Sequence, residues 1–181
     1  MLEKDIKKVL VSHEEIVKRC EEMGKQITQD YQENPPLLVG LLRGSVPFLA
    51  ELIQHIDLDA QYDFMDVTSY EGTESIGDIR ILKDLDSSIQ DRDILLVEDI
   101  VDTGKTLKTV CKTLLNKGAK SVKIATLLDK PSRRVNEMKA DYIGFTVENE
   151  FVVGYGMDFN QRYRLLPYIG VLKDECYQVV E

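Results

Sequence analysis

The sequence predicts an α/β fold, a mainly parallel, twisted sheet with helices on both faces. Three observations predict it. Short apolar runs, residues 37–42 (LLVGLL), 94–97 (ILLV) and 121–128, have the composition of strands buried on both faces. Apolar residues at helical steps fill the stretches between them, as at Leu107, Val110, Cys111, Leu114 and Leu115. Small polar turns with glycine follow two of the strands directly, the order of a right-handed β-to-α crossover. A chain of 181 residues, 43% hydrophobic and 30% charged, is long enough for one core and suggests a single domain, 1–181.

Charge and cysteine usage narrow the function. The net charge of −9 disfavours a nucleic-acid surface or an anionic membrane, so a polyanionic ligand would need a local site. Cys20, Cys111 and Cys176 are far apart and odd in number, with no C-x-x-C or paired-histidine spacing; they read as reduced thiols, Cys20 and Cys111 on apolar stripes. The opening MLEKDIKKVL carries no long apolar stretch, and no run elsewhere approaches a membrane span. A cytoplasmic protein with no nucleic-acid or membrane partner is expected.

Taken in order, Ser12-His13-Glu14-Glu15 is a capping box, and Ile16, Cys20, Met23 and Ile27 continue one helical face until Asn34-Pro35-Pro36. His13 reads as a solvated first-turn residue. After strand 37–42, Arg43-Gly44-Ser45-Val46-Pro47 turns into a helix expected from Phe48 to about His55. Arg43 is either an ordinary surface cation or one half of an anion site with the Gly44 backbone. Residues 62–70 alternate like a strand, 71–78 are polar, and 79–82 resume the alternation. That is a hairpin whose tip, about 69–80, is either a loose loop or a lid.

The stretch 94–107, ILLVEDIVDTGKTL, organises the rest. A buried strand ends in adjacent carboxylates, Glu98 and Asp99, and a polar turn, Asp102-Thr103-Gly104-Lys105-Thr106, leads into a helix closed by Lys117-Gly118. Asp102 or Thr103 could serve only as an N-cap. The acidic pair argues for more, because two carboxylates at a buried strand end repel and are desolvated unless cations or hydroxyls meet them. A helix start at the carboxyl edge of a sheet is suited to a phosphate. An ATP-binding P-loop is excluded, because Asp99 occupies the position of its first glycine. Further on, residues 121–128 form a strand followed by Lys130, which is either solvated or a donor to a carbonyl. Residues 142–147 are strand-like, and the run from Phe151 to Asp158 is either core or a ligand platform.

Residues 94–106 resemble the phosphoribosyl diphosphate signature of the type I phosphoribosyltransferases: four apolar residues, two acids, two apolar residues, then D-T-G-x-T. Three further motifs cover much of 37–170: the Arg43 turn resembles that of the same family, which often has lysine there, while LLDK ending at Lys130 and FVVGYGMDF with Arg164 in NQRYRLLPYIG resemble its hypoxanthine-guanine branch. The resemblance implies a core of about 37–147, a hood from about 1–12 and 148–181, and a lid at 69–80 begun by Ser69-Tyr70. It implies that Glu98 and Asp99 hold the ribose hydroxyls and that Val101 to Thr106, with Thr103, Gly104 and Lys105, wrap the 5-phosphate. By the same resemblance Arg43, Gly44 and Arg164 meet pyrophosphate, with a cis peptide at Leu42-Arg43. Lys130 reads the exocyclic oxygen of the base, Phe151 stacks on it and the Val152 backbone pairs with its edge. Glu98, Asp99 and Asp158 take part in holding Mg2+, and Asp102 manages the proton at purine N7. The implied reaction converts hypoxanthine or guanine and phosphoribosyl diphosphate into IMP or GMP and pyrophosphate, in a homodimer or homotetramer. The same scaffold serves some relatives as a nucleic-acid-binding regulator; this chain shows no basic patch with interleaved aromatics.

Overall fold

The computed structural model describes residues 2–69 and 79–177. A six-stranded sheet runs β4-β3-β2-β5-β6-β7. Its strands are β2 (Leu37–Leu42), β3 (Gln61–Ser69), β4 (Ile79–Lys83), β5 (Asp93–Val101), β6 (Ser121–Asp129) and β7 (Tyr142–Thr146). All neighbours pair in parallel except β4, which is antiparallel to β3 at the edge. The predicted mainly parallel α/β sheet is therefore the observed one. Of the expected lid, Tyr70 and residues 71–78 lie outside the described residues.

The apolar runs form strands because both faces are covered. In β5, Leu95 and Val97 point into a core with Ile16, Cys20, Met23 and Ile27 of α1 (His13–Asp30) and Phe48, Leu49 and Leu52 of α2 (Val46–Leu52). The alternate residues Ile94 and Leu96 point into a second core with Leu107, Val110 and Leu114 of α3 (Lys105–Asn116). Each such side chain, fully buried, contributes about 1.5–3 kcal/mol. The Ser12 hydroxyl accepts from Glu15 N at 3.2 Å while Ser12 N donates to Glu15 Oε2 at 2.8 Å, so the predicted capping box starts α1. Arg19 of α1 donates to Ile143 O at 2.7 Å and ties the helix to β7. Helix α2 starts two residues earlier than the sequence suggested and ends in a 3-10 turn, Ile53–His55. Pro47 accounts for the earlier start, since proline is accommodated in the first turn of a helix.

A second sheet, β1-β9-β8, joins β1 (Ile6–Val11), β9 (Ile169–Leu172) and β8 (Val152–Val153), all antiparallel. It brings the two ends of the chain together, and Lys8 Nζ pairs with Glu150 Oε1 at 2.9 Å beside β8. The three cysteines are free. Burial pushes the Cys20 thiol up to about 12 and that of Cys111 to about 11, so neither is a reactive thiolate. Among the described residues no helix is long and apolar enough to cross a membrane.

Candidate active site

The site begins where two neighbouring strands part. β2 and β5 are paired from Leu37↔Ile94 to Gly40↔Val97; beyond that point β5 continues beside β6 alone, through Glu98↔Thr126 to Val101↔Asp129. The strand therefore does not stop at its acids, as its apolar composition suggested, but carries them past the end of its β2 pairing. α2, which follows β2, and α3, which follows β5, cover opposite faces. A crevice between strands whose connections leave in opposite directions is the usual ligand position in open α/β sheets. Glu98 and Asp99 stand in it. Burial, reinforced by the charge of Asp99, raises the Glu98 carboxyl well above its ordinary value. Burial also raises Asp99, opposed by its contacts with Glu98, the Ile100 N–H and the charge of Arg164. Such a pair gains by meeting cations or sugar hydroxyls.

The turn after β5 ends with Gly104 as N-cap of α3, at φ +76°, and no side chain caps the helix. Neither Asp102 nor Thr103 is the N-cap residue, although the Thr103 hydroxyl accepts from Lys105 N at 3.4 Å, and the first-turn N–H groups of α3 lack partners within their own helix. Thr103, Gly104, Lys105 and Thr106 line a cavity of about 120 Å³ together with Glu98, Ile100 and Asp102. It has the dipole and donors an anion needs. Val101, also in this lining, is 1% exposed and packs into the second core.

A larger cleft of about 520 Å³ adjoins it, lined by Asp99, Ile100, Asp102, Lys130, Phe151, Val152, Asp158 and others. Asp102 and Ile100 belong to both cavities. Lys130 is 7% exposed and donates to Glu150 O at 2.6 Å; burial pushes its amine below the ordinary lysine value. Asp102 accepts from Arg133 Nε at 3.0 Å. Phe151 stands at the cleft edge, packed edge-on to Phe159 at 5.4 Å between ring centres and stacked on Tyr177 at 4.6 Å.

The remaining predicted residues converge from elsewhere. The peptide between Leu42 and Arg43 is cis. Arg43 is exposed and Gly44 buried, and a Cβ on Gly44 would overlap the Asp99 carboxylate. A Cβ on Gly156 would in turn overlap Gly44 O, so the loop after β8 reaches the Arg43 turn. Arg164 donates to Gly156 O at 2.7 Å and pairs with Asp158 Oδ1 at 2.8 Å. The carboxylate expected to hold a metal is thus engaged by the arginine expected to meet pyrophosphate. Among the described residues no three His, Cys, Asp or Glu side chains form a ready metal cage. Ser69 ends β3; Tyr70 lies outside the described residues.

Sequence reasoning missed Ile100, Arg133, Met157 and Tyr177, all of which line the larger cleft. Ile100 carried a usable signal, since it sits beside Asp99 near the end of β5, two residues before Asp102. Tyr177 carried none, because nothing local says that it stacks on Phe151.

The model of the phosphoribosyl transferase domain matches residues 8–160. The hypoxanthine-guanine phosphoribosyltransferase of Streptococcus pneumoniae is 57% identical over 178 residues, covering 98% of this chain and 99% of that protein. The crystal structure of a hypoxanthine phosphoribosyltransferase from Staphylococcus aureus superposes with a TM-score of 0.94 at 49% identity, covering 98% of this chain and 97% of the other. A hypoxanthine-guanine phosphoribosyltransferase from Bacillus anthracis, solved with HEPES in its active site, gives 0.87 at 38% identity, covering 93% and 98%. A domain model matching most of the chain, and relatives matched along almost their whole length, show the family: the chain belongs to the phosphoribosyltransferase family.

Proposed function

We propose that this protein transfers the 5-phosphoribosyl group of phosphoribosyl diphosphate to hypoxanthine or guanine, giving IMP or GMP and pyrophosphate, in purine salvage. The observation that carries this reading is the position of Asp102 and Ile100 on the border of two cavities. One has the helix start an ester phosphate needs, and the other has the flat wall, cation and backbone edge a purine needs. The bond to be made lies between them.

The 5-phosphate sits against Thr103, Gly104, Lys105 and Thr106, and Glu98 and Asp99 accept from the ribose hydroxyls. The base stacks on Phe151, its exocyclic oxygen takes a hydrogen bond from Lys130, and the Val152 backbone meets its edge. As N9 bonds to C1 of the ribose, the C1–O bond to pyrophosphate breaks and the N7 proton passes to Asp102. Arg43 and Arg164 face the leaving charge, which requires Arg164 to share or release Asp158. The donor set fits Mg2+, which is held through one or two carboxylates with waters and substrate oxygens rather than by an all-protein cage. Glu98, Asp99 and Asp158 are the residues to hold it, and when bound it offsets charge on the pyrophosphate. The enzyme acts in the cytoplasm as a homodimer or homotetramer.

The test is a panel of hypoxanthine, guanine, xanthine and adenine, each incubated with phosphoribosyl diphosphate and Mg2+ while nucleotide formation is followed. IMP and GMP are expected, with little AMP. No nucleotide from any 6-oxopurine overturns the reading.

A further inference from the structure

The segment after β6 makes a series of contacts on the back of the turn 101–104. Lys130 N donates to Val101 O at 3.0 Å, Arg133 Nε to Asp102 Oδ1 at 3.0 Å and Val135 N to Thr103 O at 3.2 Å. Arg134 lies under the middle of the turn. Its guanidinium forms a close ion pair with Asp129, donates to Met138 O at 3.1 Å and comes within 3.5 Å of Val101 O. The Arg134 and Asp129 side chains are only 10% and 11% exposed. A Cβ on Gly104 would stand 3.0 Å from Arg134 Cδ and 2.9 Å from Asn136 Oδ1, so the arginine stem fills the space that glycine leaves.

We infer that Arg134 is a positioning residue for phosphoribosyl diphosphate, holding the phosphate turn from behind through a strap, residues 130–136, whose first member is Lys130. The inference rests on the proposed function of this site. Its physical content is a division of the turn into two sides. The carbonyls of Val101 and Thr103 are taken by donors of the strap, so the turn is held with its other side toward the cavity at the start of α3. A loop that binds an anion with main-chain donors gains from being held in that shape beforehand. Arg134 does this with a planar, forked cation that a lysine cannot reproduce at Asp129, Met138 O and Val101 O together. Because the strap starts at Lys130, a shift of the turn also moves the amine assigned to the base.

The experiment compares wild type with Arg134→Lys, Arg134→Met and the double variant Asp129→Asn/Arg134→Met. The double variant guards against a folding failure, since it leaves no uncompensated buried carboxylate. In the double variant, KM for phosphoribosyl diphosphate is expected to rise about tenfold or more, KM for hypoxanthine by a smaller factor, and kcat to change by less than about threefold. Arg134→Lys should recover thermal stability but not KM. Calorimetric titration of phosphoribosyl diphosphate with Mg2+ should show the same loss of affinity. An unchanged KM in a folded double variant overturns the inference, as does full rescue of KM by lysine or failure of the double variant to fold. Each of these leaves the proposed reaction standing, whereas a wild-type protein that makes no nucleotide removes that reaction.

Discussion

The phosphate turn and the base wall meet at Asp102 but are built in opposite ways. The turn extends a nine-residue strand buried between two cores, and a helix begins directly after it. Its chemistry is mostly main chain, and its carbonyls are held from behind by the strap. The base wall stands on β8, a two-residue strand in a three-stranded sheet formed from the ends of the chain. Its chemistry is mostly side chain: Phe151 and Tyr177 on that frame, with the Lys130 amine reaching in from the end of β6 of the main sheet. The difference teaches that the invariant part of a substrate, a phosphate ester, can be met by backbone on a rigid core. The part to be distinguished, the base, is met by side chains on a lighter frame.

The largest expected effect lies at the border. Asp102→Asn should lower kcat by about 10²–10⁴-fold, the usual range for a positioned base, while changing KM for phosphoribosyl diphosphate far less. Steady-state kinetics with hypoxanthine checks this, and an unchanged kcat removes the proton role. On the turn side, Gly44→Ala places a methyl on the Asp99 carboxylate. It should raise KM for phosphoribosyl diphosphate by about tenfold or more, with a smaller effect on KM for hypoxanthine; equal effects on both would blur the division between the two regions.

On the wall side, Lys130→Met should raise KM for hypoxanthine and guanine by about tenfold or more, the size of a lost charge-assisted hydrogen bond of about 1.5–3 kcal/mol. Calorimetric melting should show no loss of stability, because burial already disfavours this charge. The sign follows from linkage. With its value lowered in the fold, Lys130 binds fewer protons there than in the unfolded chain. Wild-type stability therefore gains as pH rises through the lowered value toward the ordinary lysine range, and the methionine variant lacks that increment. The smallest effect is at the chain end. Tyr177→Ala should raise KM for the base about two- to tenfold, from an aromatic pair worth about 0.5–1.5 kcal/mol, with kcat unchanged. A fall in KM would mean that the ring competes with the base instead of supporting Phe151.

Legibility followed the same divide. Residues 94–106 announced strand, acids, turn and helix because each is a local property: branched apolar runs, adjacent like charges, a small polar turn and a 3.6-residue stripe. Lys130 and Phe151 could be nominated only through resemblance to a family, since a lysine after a strand and a phenylalanine in an apolar run have several ordinary explanations. Their neighbours Arg133 and Tyr177, and the engagement of Asp158 by Arg164, had no local signal at all.

By itself the sequence determined the alternation of strands and helices, the parallel sheet that this alternation requires, and the acidic turn at its carboxyl edge. Periodicity, capping and turn chemistry act over a few residues, and nothing distant opposes them here. Only the tertiary structure decided that β2 parts from β5 at the acids, that residues 130–136 lie behind the turn, and that the last described residue stacks on Phe151. Those arrangements depend on which distant surfaces fill the same space, and close packing resolves that only when the whole chain is assembled.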